Sequence, residues 1–376
     1  VLKWARESSL LKVDEAARIA HVSQERLEAA ESGGGMITFR QVQRLAHACN
    51  IPLRTLFLDA PPAEEATPLD FRSAEDQETP ATFHFVRVLR TARERRDVAT
   101  MLYASSTRVV PTFPSFNSDS ELAEILSRVA CVDYWPALLR DAKYQRSSAR
   151  PLSITKEFVE RSFPVLVFES PKKLGTVRGC SLFGEPLSVV ILTTKESPNT
   201  RRFTLIHELA HLFMRQSGIC APLSTSKTNQ TERRCNRIAG EALIPRKLLT
   251  EVVRKLPRDM SNDKRVDSLA NRFQVSKSAV VVALHEVSLL TSHDAHMLLQ
   301  TYNRFWAEQQ ERGSSGGPHP YLSVVQHRGP TFTSLVLQAV DRNTMSVTRA
   351  SELLGVAPSY SNIESLRDKM FEAYGS

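Results

Sequence analysis

Apolar residues in the first 58 positions recur at helical spacing. Val13, Ala16, Ala17, Ile19 and Ala20 share one face, His21-Val22-Ser23 forms a short turn, and Ser23 is a good N-cap for a helix from Gln24 to Glu31. Gly33, Gly34 and Gly35 stop that helix. Thr38 then caps a third amphipathic segment through Phe39, Val42, Leu45 and Ala46, and Pro52 to Leu58 makes a closing turn. The pattern predicts a compact five-helix bundle containing a helix, a tight turn and a second helix.

The stretch APPAEEATP at 60–68 is proline-rich and acidic, favours extended backbone and buries little, so it marks a boundary. From Phe83 to about Tyr144 the period is helical, with Phe85, Val88 and Leu89 on one face and Leu122, Ile125, Leu126 and Val129 on another helix. Arg87, Arg90, Arg93, Arg95 and Arg96 are expected to form the solvated face of the first. The segments Phe163 to Phe168, Arg178 to Phe183 and Ser188 to Thr193 are short, rich in β-branched or aromatic residues and separated by Pro, Gly and Lys turns, which predicts a small three-stranded sheet. Helices are expected at Thr200 to Arg215 and Thr231 to Leu243, with a helix pair at 266–290. A polar linker follows at Glu308 to Pro320, then a helical tail over 330–373. The fold class is α+β and mostly helical.

With 376 residues, two or three domains are expected. Hydrophobic residues make up 41% and charged residues 24%, which excludes wholesale disorder. The five cysteines are scattered without a CxxC pair, so neither a disulfide framework nor a thiolate zinc cage is expected. VLKWARESSL has no apolar signal core and no apolar run approaches a membrane span, so a cytoplasmic protein with no membrane partner is expected. A start at Val1 in place of Met is expected of a trimmed chain. The net charge of +8 is concentrated: residues 201–258 carry 12 basic and 4 acidic groups, whereas 1–72 carry 9 and 10. A solvated basic face competes there with attraction of an acidic partner or DNA.

Within the apolar segment FTLIHELAHLFM, His207-Glu208-Leu209-Ala210-His211 is an HExxH motif. Positions i and i+4 share a helical face, so two imidazoles can bind one ion while Glu208 reaches a water on it without ligating. Otherwise the helix would bury three polar groups needing partners. Catalytic zinc takes a third protein ligand, and Glu232 and Glu241 are the candidate carboxylates in ERRCNRIAGEALIP. Nine residues apart, they project from opposite sides of a helix, so only one can face the ion.

Residues 1–60 resemble Xre/Cro-type helix-turn-helix domains, through LKWARE at 2–7 and LFL at 56–58. The resemblance implies a recognition helix beginning near Ser23, with Ser23, Gln24 and Arg26 toward DNA. Glu25, Glu28 and Glu31 make that helix acidic, so operator binding would call for a dimer spanning two half-sites. FTLIHELAHLF at 203–213, ERRCNRIAGEALIP at 232–245 and RGCSLFGEPLSVVILTT at 178–194 resemble the ImmA/IrrE (DUF955) metallopeptidases. This likeness implies Glu232 as third ligand, with Asn236 as the matching Asn, and Ile244 where the family often has Met. LANRFQVSKSAVVVALHEVSLL resembles the helix-turn-helix-like segment following the peptidase motifs, for which packing is the favoured role.

The resulting plan is a helix-turn-helix domain at 1–60, a linker at 61–72, a zincin-like metallopeptidase domain at 73–290 that includes the helix pair, and a helical extension at 291–376. The implied function is a regulatory endopeptidase using Zn2+, or another divalent ion such as Mn2+, with Glu208 as general base. It would cleave a repressor or antitoxin-like protein, and a homodimer is among the expected assemblies. The competing reading is a DNA-binding repressor or antitoxin whose metallopeptidase fold does not cut.

Overall fold

The computed structural model describes residues 1–62, 80–106, 108–130, 150–171, 174, 177–220, 230–311 and 320–374. Residues 63–72 of the expected linker, 131–144 of the expected helical region and the polar loop 221–229 lie outside them. The N-terminal bundle consists of α1 (Leu2–Ser8), α2 (Val13–Ala20), α3 (Gln24–Glu31), α4 (Phe39–Cys49) and a 3₁₀ turn, Leu53–Phe57. Ser23 Oγ accepts from the Arg26 amide and caps α3, while Thr38 and Gln41 form a reciprocal capping box on α4. Ala16, Ala20, Leu27, Val42, Leu45 and Leu56 fill its core.

Next come α5 (Pro80–Ala104), α6 (Asp119–Val129) and α7 (Arg150–Ser162). The arginines of α5 are a correction: Arg87, Arg90, Arg93 and Arg95 are half-buried and Arg96 is buried, because α5 has neighbours on two sides. Arg90 donates to Ser8 Oγ at 2.7 Å and to the Cys49 carbonyl at 2.9 Å, holding the N-terminal bundle. Arg95 lies over the Phe168 ring on the other side.

The sheet contains the three expected strands, β1 (Val165–Ser170), β2 (Gly179–Leu182) and β3 (Ser188–Thr193), and gains a short fourth, β4 (Gly218–Cys220). Its order is β1-β3-β2-β4; β1 runs parallel to β3, and β2 antiparallel to both neighbours. Every position of β1, β2 and β3 is buried, so both faces are covered. Alternation sorts the faces. Val165, Val167, Val190 and Leu192 belong to one core, and Leu166, Phe168, Leu182, Val189 and Ile191 to a second.

Over the first face pack α8 (Pro198–Phe213), α9 (Gln230–Leu243) and α10 (Arg246–Arg254), joined by the helix pair α11 (Asn262–Phe273) and α12 (Lys277–Glu286) and by the start of α13 (Ser292–Glu311). The helix pair contributes Val266, Leu269, Phe273, Val280, Val281 and Leu284 to this core. Helix α13 continues to Glu311 through the start of the expected polar linker, of which 312–319 lie outside the described residues. The second core takes in α5 together with α14 (Pro320–Arg328), α15 (Pro330–Asp341), α16 (Val347–Leu354) and α17 (Tyr360–Tyr374). No helix among the described residues is long and apolar enough to cross a membrane.

Candidate metal centre

Ser197 caps α8 by accepting from the Thr200 amide, and Pro198 occupies the first turn, where its missing N–H costs nothing. From Thr204 to Phe213 every residue is buried. The strands approach this helix closely because two of their residues are glycines. A Cβ at Gly179 would stand 2.5 Å from Thr204 Cγ2, and one at Gly218 2.8 Å from His211 Cγ.

His207 and His211 lie one turn apart with their Nε2 atoms 3.2 Å from each other. Glu232, in the first turn of α9, brings Oε2 to 3.2 Å from His207 Nε2 and Oε1 to 3.0 Å from His211 Nε2. Among the described residues these three donors form a cluster that could hold a metal ion. Glu241 points elsewhere: it accepts from the Arg246 amide at 3.1 Å and pairs with that guanidinium. Asp119 in α6 fastens α9 from outside, accepting from Arg234 at 2.8 Å and from Arg237 at 2.7 Å. Much of the basic excess at 201–258 is spent on such internal pairs, those of Arg201 with Glu169 and Arg215 with Glu185 included.

The electrostatics are those of a site built for a cation. Burial disfavours charge on His211, but its bonds to Cys235 and Glu232 prevail and raise it to about 10. Burial would likewise raise Glu232, yet the bonds from His207 and His211 bring it down to about 2. The contact between the two thus favours a proton on the imidazole and charge on the carboxylate. Glu208 is wholly buried, and burial raises its carboxyl against the pull of His207, His211 and a bond from Ser181. Its Oε1, like His207 Nδ1, has no hydrogen-bond partner among the described residues. Two imidazole nitrogens, a carboxylate and an unpartnered buried carboxylate oxygen fit a divalent ion with a water beside it.

Residues 160–285 match the model of the peptidase M78 family, the IrrE N-terminal-like domain, and residues 2–56 match the helix-turn-helix model. The chain carries an IrrE N-terminal-like domain behind a helix-turn-helix domain. The IrrE-like match spans the sheet, both histidines and Glu232, so the metallopeptidase-type fold and the donor cluster coincide in one segment. Comparison with curated proteins and with solved structures yields no match.

The N-terminal candidates are all exposed, and each makes a local bond. Ser23 caps α3, Gln24 Nε2 donates to Glu28 at 2.9 Å, and Arg26 Nε donates to the Met36 carbonyl at 3.1 Å. Sequence reasoning missed Ser181 and Arg202. Each carried a signal: a hydroxyl at an inward position of an apolar strand, and an arginine at the start of an apolar helix.

Proposed function

We propose that His207, His211 and Glu232 hold a zinc ion, with Mn2+ as the alternative occupant, and that the chain is a regulatory metalloendopeptidase. The observation carrying this reading is the convergence of the three donors beside a buried Glu208 whose Oε1 lacks a partner among the described residues. When bound there, the ion supplies Lewis acidity that polarises a peptide carbonyl and lowers the pKa of a water. Glu208 takes the proton from the attacking water and returns it to the departing amine nitrogen. Its raised carboxyl suits both halves of that exchange, and its full burial shields the proton from bulk solvent. A purely structural metal site would have no use for a buried carboxylate beside it.

Behind a helix-turn-helix domain, the substrate class that fits is a transcriptional regulator or antitoxin-like protein, met in the cytoplasm. Residues 1–60 would bring the enzyme to operator DNA or to the DNA-bound substrate, 73–290 would cut, and 291–376 would extend the fold. The test is co-expression of the chain, and of Glu208→Gln, with regulators encoded beside its gene. Cleavage by the parent and not by Glu208→Gln supports the enzyme. Equal cleavage by both refutes Glu208 as the base, and cleavage by neither favours a DNA-binding repressor or antitoxin with a non-proteolytic fold.

A further inference from the structure

Strand β2 alternates as the pleat requires, so Cys180 and Leu182 face the second core while Ser181 faces α8. Ser181 is fully buried and lies beside Val190 on the face of the sheet that also carries Val165, Val167 and Leu192, where a hydroxyl needs partners. Its hydroxyl is engaged on both sides. The Gly218 amide, opposite it in the β2–β4 register, donates to Ser181 Oγ at 3.1 Å, and Ser181 Oγ donates to Glu208 Oε2 at 2.6 Å. A serine hydroxyl has one hydrogen, and the incoming amide occupies a lone pair, so that hydrogen is directed to the carboxylate. Glu208 thus has one oxygen held and the other, Oε1, without a partner among the described residues.

We propose that Ser181 is a positioning residue for Glu208, fixing Oε2 so that Oε1 is presented to the water whose proton it takes. The inference rests on the reading of the site as a hydrolytic metal centre. Gly218 joins the two halves of that centre, since the residue that orients Ser181 also packs against the His211 ring. The sheet edge therefore sets general base and metal ligand in one frame, and the proposed role of Ser181 runs through its bond to Glu208.

Cobalt(II)-loaded protein provides the test, with acetohydroxamic acid as the probe. This small chelator binds an ion as its anion, releasing a proton that a well-placed Glu208 accepts and holds against the bound hydroxamate, and binding is read from the visible cobalt spectrum. Ser181→Ala should keep one cobalt per chain and the parent's cobalt affinity, while binding acetohydroxamate about tenfold more weakly, the loss expected for one hydrogen bond to a charged group. In a Glu208→Ala background the same substitution should produce no further change. An equal loss in both backgrounds overturns the proposal, because Ser181 would then act on the fold and not through Glu208. An unchanged affinity in Ser181→Ala alone also overturns it. Failure of the parent chain to bind cobalt at His207, His211 and Glu232 brings down the metal reading itself and this inference with it. If Ser181→Ala does not fold, Ser181→Cys, of similar size with a much weaker donor, carries the same expectations.

Discussion

Arg202 Nη2 donates to the Ala130 carbonyl at 2.6 Å, so the helix that carries His207 closes the carboxyl end of α6. The same guanidinium donates to the carbonyls of Phe273 and Gln274 at the end of α11, and to Thr155 Oγ1 in α7. A cation thus sits at two negative helix ends, fully buried, five residues before the first imidazole. Arg202→Met keeps much of the volume but takes the donor away from the carbonyls at both ends. It should cost about 3 kcal/mol or more, given the worth of hydrogen bonds to charged groups. Urea unfolding of the two proteins measures this; a loss below about 1 kcal/mol would show that the helix ends find other donors.

The two candidate carboxylates of α9 should separate cleanly in metal content. Glu232→Gln removes a charged donor lying 3.0 Å and 3.2 Å from the imidazole nitrogens, whereas Glu241→Gln touches only the bond to Arg246. Zinc analysis after purification should find large loss in Glu232→Gln and in His207→Ala, and parent-like occupancy in Glu241→Gln. Full retention in Glu232→Gln would sink the ligand assignment.

The pH dependence follows from the same pair. His211, raised to about 10, contributes stability to the ion-free protein that is fully present below its ordinary 6.5 and is lost as pH rises toward 10. Glu232, lowered to about 2, contributes stability present above 4.5 and lost as pH falls toward 2. Metal must displace the His211 proton, so its affinity rises with pH over the range where the ion-free pair weakens. The Tm difference between zinc-loaded and ion-free protein should therefore grow from pH 6 to pH 9, with about one proton released per ion in calorimetry at neutral pH. A difference that shrinks as pH rises contradicts the coupling.

The helix that carries His207 and His211 was legible because its signal is local. An i, i+4 spacing of His207 and His211 survives any packing, although the helix expected from Thr200 begins two residues earlier, at Pro198 behind the Ser197 cap. Glu232 came from resemblance, since helical period alone only says that it and Glu241 cannot share a face. Strand β4 was illegible because three residues carry too little period-two pattern to register. The arginines of α5 were misread for a physical reason. Charge predicts exposure only when a helix has a free side, and α5 packs between the N-terminal bundle and the second core. Ser181 and Arg202 depend on partners distant in sequence, 27 and 72 residues away for Glu208 and Ala130, which no local pattern encodes.

The N-terminal domain poses the remaining test. Arg26 lies on the exposed side of α3, and its Nε bond to the Met36 carbonyl holds the stem of the guanidinium against the turn into α4. A fork fixed in this way is suited to the paired acceptors of a guanine edge. Glu25 and Glu28 on the same helix oppose nonspecific attraction to phosphate, so the contribution of Arg26 should show mainly as sequence preference. Selection of genomic fragments with the full chain, and with residues 1–60 deleted, supplies the operator. Arg26→Ala should then weaken operator binding by about 1 to 3 kcal/mol and relax preference at one base pair. Arg26→Lys keeps the charge and loses the fork, so it should resemble Arg26→Ala in specificity while retaining more of the salt-dependent affinity. If both constructs enrich the same fragments, the domain is not the reader; if neither enriches any, it serves to dock the protein substrate.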